Sequence, residues 1–214
     1  MEVKRTRITD ENANEWRNIC RSIVESSYEV LGDIPRGDLF VGSLISYLED
    51  DQGVYSFFVT SPSTLKIDGE SIPYTYLGLS GTVHGERSRG KRTQCVEDSF
   101  MYLRQNHSGE YAIAICGTSP TLALAETVSQ RVMPSARATP TAHERALVRQ
   151  FGSQFLQRVA KTSDPDFVFR QASASRFAFD EWERQTSPKY HHKVFDTLHI
   201  NERDGDRLVV LLVI

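Results

Sequence analysis

Long apolar runs are missing from this chain. No segment reaches the length a helix needs to cross a bilayer, and the opening Met1-Glu2-Val3-Lys4-Arg5 has none of the apolar stretch of a secretion signal. Cysteine is scarce. Cys20, Cys95 and Cys116 are odd in number, widely spaced and without a C-x-x-C pair, which excludes a disulfide framework and a thiolate metal site. Cys20 and Cys116 sit among apolar neighbours and read as reduced core residues of an intracellular protein. His191 and His192 are adjacent, so they point to different faces and suit no single metal. The net charge of −3 lacks the global signature of a polyanion binder. Internal repeats, low-complexity tracts, a nucleophile triad and a Walker loop are also absent. These absences lead us to expect a cytoplasmic protein with no metal, no membrane anchor and no nucleic-acid partner.

What is present is an ordinary globular composition over 214 residues, enough for a well-filled α/β core. We expect a single domain over 1–214, with 134–214 as an α/β extension of it. Thr9 or Asp10 is positioned to cap a first helix, whose apolar stripe runs through Trp16, Ile19, Cys20, Ile23, Ser27, Val30 and Leu31 and stops at Gly32. A second, short helix is expected over 39–48. Val54 to Val59 has the composition of a strand, and Asp68-Gly69 between Leu65-Lys66-Ile67 and Glu70-Ser71-Ile72 predicts a hairpin. The returning arm continues into a strand over 74–83, where Gly78 and Gly81 predict a bulge or a close approach to the backbone. A helix over 94–105, a doubly covered strand over 111–116 and a small-residue helix over 121–130 follow. Thr141-Ala142-His143-Glu144 has capping-box spacing and opens a long helix with Val148, Phe151, Phe155 and Val159 on one face. Short strands are expected at 167–169 and 208–214. The order implies an α/β (α+β) mixed sheet flanked by helices on both faces. Trp16 and Trp182 read as packing residues.

The stretch Glu86-Arg87-Ser88-Arg89-Gly90-Lys91-Arg92-Thr93 stands out, with four cationic side chains in the six residues 87–92. It follows a strand and opens a helix. Such a turn aims several backbone N–H groups at one point, where the helix dipole favours negative charge. The pattern suits a phosphate; the bland alternative is a solvated basic loop at a sheet edge.

With these residues in view, the middle of the chain, about 54–133, resembles the GNAT superfamily of N-acyltransferases. The resemblance implies a strand, a pyrophosphate loop of pattern Q/R-x-x-G-x-G/A, a helix, and a following strand that splays from the first to leave a cleft for acyl-coenzyme A. Leu79 to His84 is similar to the first strand, Arg89 to Gln94 to the loop and Ala112 to Cys116 to the splayed strand. The loop motif opens at Arg89 or at Arg87; in either register Arg92 replaces a small residue.

The resemblance implies that Leu79, Gly81 and Val83 face the pantetheine and thioester. It implies that Arg87, Arg89, Gly90, Lys91, Arg92 and Thr93 hold the pyrophosphate, and that Ser119 contacts the pantetheine arm. His84 and Glu86, the nearest titratable groups after the strand, are the general-base candidates. The co-substrate would be acetyl-CoA or another acyl-CoA. The acceptor would be a small-molecule or peptide amine attacked directly, because no cysteine is placed for a covalent intermediate, and a homodimer is compatible with this. A second reading is a GNAT-like binding or regulatory module without activity. It rests on Arg92 and on the absence from 121–130 of the tyrosine that many members use as an acid.

Overall fold

The computed structural model of the protein describes residues 2–30, 40–83, 90–116, 119–129, 131–134, 139–155, 167–173, 175–180, 183 and 193–214. Its described elements are β1 (Lys4–Arg7), α1 (Ala13–Glu25), β2 (Tyr28–Val30), β3 (Leu44–Asp50), β4 (Gly53–Ile67), β5 (Glu70–Thr82), α2 (Lys91–Asn106), β6 (Tyr111–Cys116), α3 (Ser119–Val128), β7 (Arg131–Met133), α4 (Ala142–Phe155), β8 (Val168–Phe169), β9 (Arg176–Phe177), α5 (Lys193–Thr197) and β10 (Arg207–Val213). The main sheet runs β1-β3-β4-β5-β6-β10-β7, with β8 also on β10, and β2 pairs with β9 in a separate ribbon. All its pairings are antiparallel except β5 with β6, which is parallel. This is the mixed sheet that the element order implies.

Side-chain alternation assigns the two faces. Ile45, Phe57, Val59 and Leu79 pack with Trp16, Cys20, Ile23 and Val24 of α1. Tyr74 and Tyr76 of β5 meet the Phe151 ring of α4 at centroid distances of 5.9 Å, and Tyr111 of β6 meets His143. Ser61 pairs with Tyr76 in the ladder and shares the face of Val59 two residues earlier, so α1 and α4 lie on the same side. On the other side, Cys95 Sγ donates to Ser56 Oγ at 3.8 Å and Ser99 Oγ donates to Ser46 Oγ at 2.8 Å, placing α2 there, with α3 against it.

Local signals set several elements as expected. Asp68 and Gly69 both take positive φ, 50° and 87°, and Ile67 pairs with Glu70 across the turn. At the start of α4 the Glu144 N–H donates to Thr141 Oγ1 at 3.1 Å and the Thr141 N–H to Glu144 Oε2 at 2.7 Å, a complete capping box.

Three expectations fail. The first helix has Asn12 at its N-cap position, with no side-chain cap, rather than Thr9 or Asp10. The helix expected over 39–48 is absent from its described part, 40–48, where Leu44–Asp50 forms the strand β3 instead. Its apolar spacing fits a helical period, but Ile45 serves the α1 face and Leu48 the opposite one, and β1 and β4 supply ladder partners on both edges. A strand covered on both faces loses its alternation. The first helix ends at Glu25, not at Gly32, because Tyr28–Val30 pairs with β9 and the Tyr28 ring stacks on Phe177 at 4.6 Å. That partner lies far along the chain and leaves no local trace.

Candidate active site

β5 and β6 run side by side for only four paired positions, Tyr74↔Tyr111 to Leu77↔Ala114. Beyond Leu77, β5 stays bonded to β4 as far as Ser56↔Thr82, and the Val83 N–H extends that ladder to Tyr55 O at 2.8 Å. Beyond Ala114, β6 stays bonded to β10 through Cys116↔Leu208. The facing edges of Gly78–Thr82 and Ile115–Cys116 are therefore not paired with each other. A V-shaped gap opens between two parallel strands, and Gly78, Ser80, Thr82 and Ile115 along it are half-buried. This is the splay that the resemblance implies.

A bulge sits where the strands part. Phe58 pairs with Ser80 and Thr60 with Leu77, so β5 spends one residue more than β4 across this interval, at Gly78-Leu79. The extra residue reverses the alternation: Tyr76, Leu79 and Gly81 all face the α1 side, while Ser80 and Thr82 face α2. The ladder with β4 is irregular at Gly78 and Leu79.

At the end of β5 the chain leads to α2, whose N-cap Gly90 takes φ 70°. A left-handed cap strains any residue with a Cβ, so glycine belongs there. Among the described residues no side chain caps this end, and the first turn holds no acid but carries Lys91 and Arg92. A helix start carries amide hydrogens and the positive end of the helix dipole, and Lys91 and Arg92 add to that field. A polar seam, exposed at Arg5 and half-buried at Asp98, fixes the helix. Arg5 donates to both carboxylate oxygens of Asp98 at 2.7 and 2.6 Å, Ser46 Oγ donates to Asp98 at 2.9 Å, and Ser56 and Thr82 share a hydrogen bond of 2.9 Å.

On the α1 face of the sheet, where β10 begins beside the tip of β6, stands a charged cluster with no counterpart in the sequence reading. Arg207 is the residue before Leu208, which pairs with Cys116, the last residue of β6. By alternation it shares the face of Ile115 and Val209. It is buried, donating to Ser175 O at 2.8 Å, Asp206 O at 2.7 Å and Glu202 Oε1 at 3.3 Å. Glu202, 2% exposed, also accepts from the Phe177 N–H at 3.4 Å. Burial pushes the Glu202 carboxyl above its ordinary range, opposed by Arg207, the Phe177 amide, Arg176 and Arg203. Asp206 falls below the usual range because Arg170, at 2.6 Å, and the Asn201 and Gln171 amides outweigh its burial. Charged residues ahead of a wholly apolar strand were the available signal, but Asp204-Gly205-Asp206 reads as a solvated turn.

The residues anticipated from sequence are distributed as follows. Leu79 is buried under α1, Gly81 touches α1 and Val83 lies at the end of β5. Gly90, Lys91, Arg92 and Thr93 form the cap and first turn of α2, and Ser119 opens α3. His84, Glu86, Arg87 and Arg89 lie outside the described residues, as do Trp182, His191 and His192. Cys20, Cys95 and Cys116 are all buried, and burial raises their thiols to about 12, 11 and 12. Among the described residues no group of three or more His, Cys, Asp or Glu could hold a metal, and no helix is long and apolar enough to cross a membrane.

The fold and gap define a mixed α/β protein with a fissure between its two parallel strands. No protein-family model matches the chain, and no curated protein matches it. Among solved structures it is similar to a probable N-acyltransferase from Enterococcus faecalis (TM-score 0.43, 11% identity, 57% of this chain and 31% of that one). It is also similar to a GNAT family acetyltransferase from Brucella melitensis solved with acetyl-CoA (0.39, 14%, 53% and 75%). A third is the Arabidopsis thaliana NAA60 in complex with acetyl-CoA (0.39, 13%, 61% and 89%). The chain thus spans about a third of the Enterococcus protein. Likenesses this distant assign no function; the geometry of the gap must carry it.

Proposed function

We propose that this protein is an N-acyltransferase that moves an acetyl or other acyl group from acyl-coenzyme A directly to an amine. The observation that carries the reading is the parting of β5 from β6 after Leu77, at the bulge of Gly78-Leu79. A pantetheine arm is an extended chain bearing two amides. Laid in the gap as a short false strand, it satisfies the free backbone groups along Gly78–Thr82 and Ile115–Cys116. The thioester carbonyl then lies against the bulge and takes a backbone N–H from it, a contact of the kind worth about 3 kcal/mol to an acyl-transfer barrier.

The remaining parts follow the same axis. The pyrophosphate goes to the first turn of α2, where Gly90, Lys91, Arg92 and Thr93 supply amides and charge, and Arg87 and Arg89, just before it in sequence, add further charge. Leu79, Gly81 and Val83 line the strand side of the arm, and Ser119 at the start of α3 meets its other side. His84 and Glu86, next along the chain from β5, are the acid–base candidates there. A direct transfer suits the cysteines, because thiols held at about 11 to 12 provide almost no thiolate at neutral pH.

The test combines binding and turnover. Acetyl-CoA is expected to raise the thermal midpoint with saturation, and thiol release across a panel of small amines and peptides is expected to reveal at least one acceptor. Gly90→Ala combined with Arg89→Ala should abolish the midpoint shift. No shift at millimolar acetyl-CoA would overturn the reading.

A further inference from the structure

The hydroxyls of Ser56 and Thr82 lie 2.9 Å apart across the β4–β5 ladder, on the face that α2 covers, and either oxygen could be the donor. Their surroundings decide which. Ser56 is 0% exposed, and Cys95 Sγ already donates to its oxygen at 3.8 Å. Burial holds the Cys95 thiol up at about 11, so it keeps its proton and stays a donor at neutral pH. Among the described residues the Ser56 hydroxyl has one other hydrogen-bonding neighbour, Thr82 Oγ1. A hydrogen pointed elsewhere would be buried without a partner, which native interiors avoid. The donors therefore run from Cys95 to Ser56 to Thr82, and the hydrogen of Thr82 itself has no acceptor among the described residues.

The place of Thr82 gives that hydrogen a use. Thr82 is the last residue of β5, half-buried, and it lies beyond Leu77↔Ala114, where the pairing with β6 stops. Cys95 stands in the second turn of α2, so the relay ties the start of that helix to the open end of β5. A chain laid along the gap and leading to the α2 N-terminus passes this hydroxyl. What the position lacks is an acceptor. An extended arm with amide carbonyls brings acceptors at intervals.

We propose that the Thr82 hydroxyl donates a hydrogen bond to an amide carbonyl of the pantetheine arm. This rests on the acyltransferase reading and adds to it the side chain that fixes where the arm sits along β5. Backbone groups along a strand repeat every two residues, so a guest bonded to backbone alone could settle in more than one register. A single side-chain donor at one position selects among them. Holding one carbonyl at Thr82 therefore sets how far the arm reaches into the gap, and with it the place of the thioester against the bulge at Gly78-Leu79. Ser56 and Cys95 act behind it, keeping the Thr82 hydrogen turned away from β4.

The test uses the intact protein, Thr82→Val, which keeps the shape and removes the hydroxyl, and Thr82→Ser, which keeps the hydroxyl. The probes are acetyl-CoA, D-pantetheine as the arm without phosphates, and adenosine 3′,5′-bisphosphate as phosphates without the arm. The Val variant should bind acetyl-CoA about tenfold more weakly than the parent, the scale of one lost hydrogen bond. The Ser variant should stay within about threefold of the parent, and the bisphosphate should bind all three proteins alike. D-pantetheine should raise the thermal midpoint of the parent and the Ser variant but not of the Val variant. Acetyl-CoA binding by the Val variant within about twofold of the parent overturns the inference, and so does a loss that the Ser variant shares. An equal loss of the bisphosphate also overturns it, because the substitution then acts by disturbing α2. Thr82→Ala is read in the same way if the Val variant does not fold. Failure of acetyl-CoA to bind the parent defeats the acyltransferase reading, and D-pantetheine then decides Thr82 separately. A parent shift that the Val variant loses sustains the contact, and no parent shift ends it.

Discussion

A Cβ atom placed on Gly81 would lie 2.6 Å from Val24 Cγ1 and 2.8 Å from Phe57 Cε1. Helix α1 sits directly on the end of β5, and the absent side chain is what permits it. Both obstructing groups are buried, so neither can swing aside. Gly81→Ala is expected to cost about 1–3 kcal/mol, read as a lower denaturation midpoint at unchanged m-value. The same contact keeps α1 close to the gap, so the variant should also weaken acetyl-CoA binding.

The bidentate Arg5–Asp98 pair tethers α2 to the edge of the sheet, and Ser46 donates a third bond to the same carboxylate. Asp98→Ala should destabilise by about 1.5–3 kcal/mol, the range for bonds to a charged group, and should weaken acetyl-CoA binding as the helix N-terminus loses its placement. Lys4→Ala removes a solvent-exposed pair with Glu49 one strand away and should change neither property measurably. Denaturation and ligand titration of both variants make the comparison.

Glu144 titrates near 2 rather than at its ordinary 4.5, chiefly because Arg131 donates to both of its oxygens, with the Thr141 amide and hydroxyl adding support against burial. A depressed carboxylate stabilises the fold fully above 4.5 and loses that contribution as pH falls toward 2. Glu144→Gln should cost about 1–2 kcal/mol at neutral pH, the scale of a lost cap. The variant and parent curves should draw together as pH falls from 4.5 and meet only near pH 2. Stability measured from pH 7 to 2 tests this.

All three thiols are buried and shifted upward, so the folded protein should resist iodoacetamide at pH 8, while all three should label in denaturant. Rapid labelling of Cys116 in the folded state would contradict the paired, covered β6 described above.

Legibility from sequence tracked the range of the interactions. The Asp68-Gly69 hairpin, the capping box at Thr141 and the apolar run of β6 are local features, and each is read from a few neighbouring residues. The bulge was also legible, because a glycine such as Gly78 inside a β run has few other uses. β3 was hidden by its two apolar faces, and β2 by a partner strand far along the chain. The close approach anticipated at Gly81 exists, but the neighbour that makes it is α1. The Glu202–Arg207 pair was illegible because its burial is created by Ser175, Phe177 and Tyr28 from distant segments, while its own stretch reads as a wet turn.

The full-length bonding of β6 to β10 has a thermodynamic consequence. The tip of β6 is held on its outer edge from Tyr111 to Cys116, so closing the gap would have to carry β10 along with it. On the proposed reading, that linked pair of strands resists collapse when the gap holds nothing. A guest strand entering it orders little of its host, and association should proceed without a slow closing step.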